Sequence, residues 1–357
     1  MSQSRAPRPA VRPARRPRAW RRKLGAFGGA LALTGGLASA CSSGGGALEK
    51  PNLNVGVVSG IGAATFELGL NQKLFSQDGL TLNVTDYPTD AAVEAALQKG
   101  QIDVAFGDYS EILNGVANSK SAAAVQVVGE GYDAGENTIG LVTSAASSLK
   151  TTSLSGDDGV AAQLANGDIS ADVPDLASPE YLALANWAIA QQNPLSLTSQ
   201  RVNAAAHGQD GPTTATAMIN AVVSGSVDTA ALQEPYLTEA IETGKVTELA
   251  NLDSGNADDM PISGYFALRS TAQKDPNTIA AFQAGLAQAQ ALGGSRVQVE
   301  AALIAAKVTP EVAATTAIGN YPTVIVAANL SNVLSLMGSA NLQTSTLDAA
   351  TLTGSSD

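Results

Sequence analysis

The 357-residue sequence predicts an α/β protein of two lobes, each a sheet flanked by helices. From Asn52 onward, short β-rich runs alternate with helices of about ten residues, the sequence form of a sheet with crossover helices. The folded stretch, roughly 300 residues, is more than one such core usually holds. The third observation is an internal echo. Pro88 to Ala105 reads PTDAAVEAALQKGQIDVA, and Pro212 to Ala230, about 125 residues on, reads PTTATAMINAVVSGSVDTA. Both contain Pro-Thr, an Ala-rich helix and Gly-x-(Ile/Val)-Asp-x-Ala entering a strand, the second with one extra residue in its helix. Repeated supersecondary units suggest two similar lobes; the alternative is coincidence between two Ala-rich stretches.

The N-terminus stands apart from that body. Residues 1–23 carry nine Lys or Arg and no acid, Leu24 to Ala40 is a largely apolar run, and Ala38-Ser39-Ala40 abuts Cys41, the only cysteine. That order is the order of a secretion signal, and the run is too short and glycine-rich for a membrane-spanning helix. A signal ending on small residues directly before Cys resembles a bacterial lipoprotein signal, which implies lipid modification (palmitate) of the Cys41 thiol and removal of residues 1–40. The position three before Cys41 is Ala38, where Leu, Val or Ile is usual, with Leu37 one further back. Without processing, Cys41 would be a small buried hydrophobe. Arg21-Arg22-Lys23-Leu24 leaves the export route open between general secretion and a twin-arginine path.

Removal of the signal leaves 11 Lys plus Arg against 32 Asp plus Glu. So acidic a surface excludes nucleic acid as a partner, and no second apolar segment approaches a bilayer span. One cysteine and one histidine, His207, exclude internal disulfides and multi-thiolate or His-cluster metal sites, so no metal or cofactor is expected.

The elements follow in order. Cys41 to about Pro51 is a Gly/Ser-rich tether. Leu53 to Val58 reads as a strand, Ala63 to Phe75 as a helix, Leu80 to Val84 as a strand, Ala91 to Lys99 as a helix and Ile102 to Ala105 as a strand. Gly100 and Gly225 suit the left-handed position that ends a helix. Ile169 to Val173 reads as a strand, and Ser178-Pro179-Glu180 opens a helix with Ser178 as cap and Pro179 in the first turn. Helical runs at Thr278–Leu292 and Val297–Ala306 end the series. Two loops follow the first strand of each lobe, Ser59-Gly60-Ile61-Gly62-Ala63 and Asp175 to Ala177. Helix-start amides there could receive polar ligand groups, although each loop taken alone reads more readily as a plain strand-to-helix connection.

Three blocks carry a family resemblance: VGVVSGIGAATFELGLNQKLFSQDGL at Val55–Leu80, ALQKGQIDVAFGD at Ala96–Asp108, and VSGSVDTAALQEPYLTEAIETG at Val223–Gly244. With them the chain resembles the extracytoplasmic solute-binding proteins of ABC importers, in the nitrate/sulfonate/taurine and thiamine-precursor group. The start of the second lobe departs from that pattern, a basic stretch being only hinted at by Ser148-Leu149-Lys150. The resemblance implies the type II periplasmic-binding-protein fold, in which two mixed-sheet lobes are joined by a hinge and close on a small solute. It implies a first lobe of residues 52–143 plus 262–357, a second lobe of 144–261, and delivery of the solute to a permease and its ATPase. A monomer held at the cell membrane, on its extracytoplasmic face, through Cys41 is expected.

Carried onto this chain, the resemblance implies a ligand site at Gly60, Ile61, Ala63 and Ala64 from the first loop. Asp108, Tyr109 and Ser110 join it from the end of one strand, and Glu234 with Pro235 and Tyr236 from its counterpart. Tyr132 would supply an aromatic wall and Ser178 a hydroxyl. Structural alternatives stand beside these: Tyr132 as a loop aromatic, Asp108 and Glu234 as capping or surface carboxylates. Beyond the signal the chain has three arginines, Arg201, Arg269 and Arg296. Two acids and few cations at the site favour a ligand with a cationic or hydrogen-bond-donating group, such as an aminosulfonate, an amine or a pyrimidine, over a bare anion.

An enzyme is the rival class, because some thiamine-precursor relatives use their own histidine as substrate. His207 lies in a Gly-rich polar loop and reads instead as a solvated residue. Neither a nucleophile elbow nor a phosphate loop is present, so no catalytic role is expected. An anchored sensor or structural lipoprotein of the same fold is the remaining alternative.

Overall fold

A computed structural model describes residues 47–119, 124–151, 156–195, 202–203, 212–254, 257–342, 344 and 347–354. All of them belong to one compact unit, Gly45–Asp357. The proposed signal, Cys41, the tether as far as residue 46, Arg201 and His207 lie outside the described residues.

The first part of the chain forms β1 (Asn52–Val58), α1 (Ala64–Asn71), β2 (Thr81–Tyr87), α2 (Asp90–Gln98), β3 (Val104–Asp108), α3 (Tyr109–Asn118) and β4 (Val125–Asp133). The second part forms β5 (Ile139–Ser144), α4 (Asp157–Asn166), β6 (Ala171–Asp172), α5 (Pro179–Ala190), β7 (Val202–Asn203), α6 (Pro212–Ser224), β8 (Thr229–Gln233), α7 (Tyr236–Glu242) and β9 (Val246–Asn251). The chain then returns with β10 (Pro261–Leu268), α8 (Arg269–Lys274), α9 (Pro276–Ala291), α10 (Arg296–Ala305), α11 (Pro310–Thr315), α12 (Ala327–Ser339) and α13 (Ala349–Leu352).

Two five-stranded sheets result, ordered β2-β1-β3-β10-β4 and β7-β6-β8-β5-β9. Position by position they match. In each, three parallel strands are followed by a strand antiparallel to them, β10 in one and β5 in the other, and an edge strand antiparallel to that one. The echo between residues 88–105 and 212–230 is thus the same unit in both lobes, α2-turn-β3 and α6-turn-β8. Gly100 (φ +66°) and Gly225 (φ +77°) end the two helices in the left-handed region.

The aspartate of each echoed motif has a common task. Asp103 accepts from the Asn54 amide of β1 at 2.9 Å and pairs with Lys50 at 2.6 Å. Asp228 accepts from the Ser170 amide and hydroxyl, both at 2.8 Å, just before β6. Each carboxylate fastens the central strand of its sheet to the strand beside it.

Alternation along β3 sends Val104 and Phe106 to one face and Ala105 to the other. Under the first face α1 and α9 close over an aromatic cluster: Phe66, Phe75, Tyr265 and Phe282 have ring centroids 5.3 to 5.7 Å apart. The opposite face, with α2 and α3, joins a core that continues into the second lobe through Tyr181 and Trp187.

Two expected boundaries need correction. Ile139–Ser144 is β5 of the second sheet, so the chain leaves the first lobe between Asp133 and Ile139, before the expected break at 143/144. The texture of a buried apolar strand is the same in either sheet, so composition does not reveal which one receives it. Residues 262–357 also do not all pack on the first lobe. α11 lies against α7, and α12 lies against α5, where Asn186 Nδ2 donates to the Leu336 carbonyl at 3.3 Å.

Candidate functional site

The carboxyl ends of β1, β3 and β8 and the start of β10 converge between the two sheets, the place where open α/β sheets put their ligands. A cavity lies there. Residues 58–62, Phe106, Gly107, Asp108, Ile262 and Ser263 form one wall, and Pro174, Glu180, Thr214, Ala215, Met218, residues 232–234 and Tyr236 form the other. Its free space is about 70 Å³, room for a few waters and thus for a small chemical group.

Of the sequence-predicted residues, the structure brings Gly60, Ile61, Asp108, Glu234 and Tyr236 together at this cavity. Asp108 is the cap residue of α3, and its amide donates to Asp90 Oδ1 at 2.6 Å. That approach requires Gly107, since a Cβ there would collide with the Asp90 carboxylate. Asp90, Asp108 and Glu111 each place an oxygen within 4.8 Å of the others. Glu234 is buried and spoken for by protein donors: the Thr238 hydroxyl at 2.7 Å, the Ala317 amide at 3.0 Å and the Thr238 amide at 3.1 Å. Burial raises its pKa above the ordinary carboxyl value in spite of these donors.

The other predicted residues sit elsewhere. Ala63 and Ala64 open α1 and face a neighbouring groove of about 420 Å³ whose far side is α10, with Ser59 and Gly60 shared between groove and cavity. Tyr109 is wholly buried behind the sheet, where its hydroxyl donates to Glu130 Oε2 at 2.6 Å and its ring meets Phe266 edge-on at 5.3 Å. Ser110 is buried in the first turn of α3, away from the cavity. Tyr132 is also fully buried, its ring tilted against that of Tyr321 with centroids 5.1 Å apart, its oxygen accepting from the Gly319 amide at 2.8 Å. Ser178 turns inward as the cap of α5, accepting from the Tyr181 amide at 3.2 Å. Glu180, two residues on, lines the cavity in its place. Sequence reasoning passed over Glu180 and Ser263, although Glu180 lies in the expected helix start. For Ser263 no local signal exists: it reaches the site because β10 pairs Ser263 with Asp108.

Below the cavity the chain crosses between the lobes three times among the described residues. Residues 134–138 are one crossing, and residues 252–254 and 257–260 belong to a second. Residues 316–321 are a third, tied in by the paired backbone bonds between Asp133 and Asn320 (2.9 and 3.1 Å) and by Ala317 on Glu234. Asp253 knits the first two, its Oδ2 accepting from the Thr138 and Ile139 amides (2.6 and 2.5 Å) and the Thr138 hydroxyl (2.8 Å). Burial, with Glu130 and Asp259 nearby, pushes the Asp133 carboxyl up to about 8. Burial pushes Asp253 up to about 7 against its donors.

The charge of the site is one-sided. Asp108, Glu180 and Glu234 line the cavity, and no Lys, Arg or His among the described residues does. Arg269 donates to the Thr351 carbonyl, and Arg296 is held by Glu300 and the Ala314 and Thr316 carbonyls.

The model of the NMT1-like family matches residues 46–308. The chain belongs to the NMT1-like family. Among solved structures, this NMT1-like protein is similar to the periplasmic aliphatic sulphonate binding protein SsuA from Escherichia coli. The two share 19% identity over 84% of this chain and 95% of that one, with a TM-score of 0.63. It is also similar to the alkanesulfonate-binding protein SsuA from Xanthomonas axonopodis pv. citri bound to MOPS (15% identity, 83% and 96% covered, TM-score 0.60). A third is the periplasmic nitrate-binding protein NrtA from Synechocystis PCC 6803 (14% identity, 75% and 70% covered, TM-score 0.60). These likenesses establish the periplasmic-binding-protein fold for the NMT1-like chain. Among curated proteins none matches the sequence. No helix among the described residues is long and apolar enough to cross a membrane.

Proposed function

We propose that this protein is the lipid-anchored solute-binding subunit of an ABC importer, displayed on the extracytoplasmic face of the cell membrane. It takes a small organic solute between its lobes and hands it to a permease. The observation that carries the reading is the pair of equivalent sheets whose strand ends face each other across one cavity, above three chain crossings that can act as a hinge. The binding proteins of sulphonates and nitrate that share the fold support it. The N-terminal signal and Cys41 support the anchoring.

A solute that binds only the folded form raises its melting temperature, by roughly 2.7 kcal/mol of stabilisation at a hundredfold excess over Kd. A thermal-shift screen of small amines, aminosulfonates, pyrimidines and anions is expected to give a saturable hit, returned unchanged after incubation. Turnover of the hit would refute the binding-protein reading. Cys41→Ser is expected to move the protein from the membrane fraction to the soluble fraction of the cell envelope; retention in the membrane would refute the anchor.

A further inference from the structure

The charge of the cavity bears on what it can hold. A bound anion would ordinarily be received by free amides at a helix start. Here α3 opens on Asp108 and α5 carries Glu180 in its first turn, so the chain's own carboxylates already stand at both starts. Neither lobe brings a Lys, Arg or His to the cavity among the described residues. A solute recognised through a sulfonate or nitrate group would therefore meet like charge.

An independent feature points the same way. Ser263 is only 2% exposed, lines the cavity, and its Oγ has no hydrogen-bond partner. A buried hydroxyl ordinarily finds one. Its cover is glycine, since a Cβ on Gly62 would lie 2.6 Å from Ser263 Oγ. Ser263 stands directly opposite Asp108 in the antiparallel register of β10 and β3. Their side chains thus share one face at about 5 Å. Glu180 looks onto the same space from the other lobe, 6% exposed. Two carboxylates and a hydroxyl around a small space form a set of acceptors. An alkylammonium group is its complement, with three donors and no acceptor.

We infer that the cavity recognises its solute through an ammonium group, received by Asp108 and Ser263 from the first lobe and by Glu180 from the second. This assignment rests on the solute-capture reading and narrows it to amine-bearing solutes. Because the group is held by both lobes, the ammonium is also what draws them together.

Calorimetric titration of the full chain with ethanolamine and putrescine, set against ethanesulfonate, nitrate and Zn²⁺, tests it. The amines are expected to bind and the anions not. Asp108→Asn is expected to weaken the amine at least about tenfold, and Ser263→Ala about threefold to tenfold. Unchanged far-UV circular dichroism would show that both variants fold. If Asp108→Asn does not fold, Glu180→Gln is read in the same way. Preference for ethanesulfonate or nitrate overturns the ammonium assignment and leaves solute capture standing. A response to Zn²⁺ alone overturns it in favour of a metal at Asp90, Asp108 and Glu111. Silence with every probe overturns it too. Native mass spectrometry of the protein as purified then judges solute capture separately, by whether a small molecule is bound.

Discussion

Asp133 and Asp253 stand at the chain crossings as buried carboxyls whose pKa values lie well above the ordinary 3.8, at about 8 and about 7. Between pH 4 and 8 the folded protein therefore holds protons that the unfolded chain has released. Such a group contributes most stability below its unfolded pKa, and that contribution is lost as pH rises through the folded value. The melting temperature is expected to fall from pH 5 to pH 8, and Asp133→Asn should flatten the profile. A melting temperature that climbs over this range would contradict the assignment. Glu49, held at about 2 by amide and hydroxyl donors around Thr278, titrates below the range and does not mask the trend. In the second lobe, Asp228→Ala would leave the Ser170 amide and hydroxyl without their acceptor. Urea unfolding should show a loss of about 1–3 kcal/mol.

At the scale of elements, residues 316–321 connect α11 to the segment before α12 and supply three links: Ala317 to Glu234, Gly319 to Tyr132, and Asn320 to Asp133. Tyr132→Phe keeps the ring packing on Tyr321 and removes the acceptor of the Gly319 amide. A destabilisation of about 1–3 kcal/mol is expected, with faster amide exchange at Gly319 as the site-specific readout. Unchanged exchange there would show that the link does not hold the crossing. Local patterns that announce themselves were legible in the sequence: Gly100 and Gly225 closing their helices, Ser178 capping α5, and the α2-β3 unit repeated as α6-β8. What failed was information carried by pairing. The destination of β5, the arrival of Ser263 beside Asp108 and the inward turn of Tyr109 and Tyr132 depend on which strands become neighbours, and no run of residues records that. The site was therefore half readable, through its loops and its two acids, while its hydroxyl and its third acid were not.

For the molecule as a whole, the proposed solute capture would bring the lobes together about the three crossings. Small-angle scattering is expected to report a smaller radius of gyration when a bound solute saturates the protein, with Asp108→Asn showing no change at the same concentration. An unchanged radius on saturation would mean that the cavity is filled without closure. The strand order carries a further consequence, for the course of synthesis. All five described strands of the second sheet lie between Ile139 and Asn251, so that sheet can complete itself as soon as Asn251 has emerged. The first sheet cannot, because β3 and β4 are separated by β10, and β4 has no neighbour until Leu268 has been made. The sheet that begins the chain is the last to be finished, and a ribosome that has made the first 260 residues holds that sheet still split.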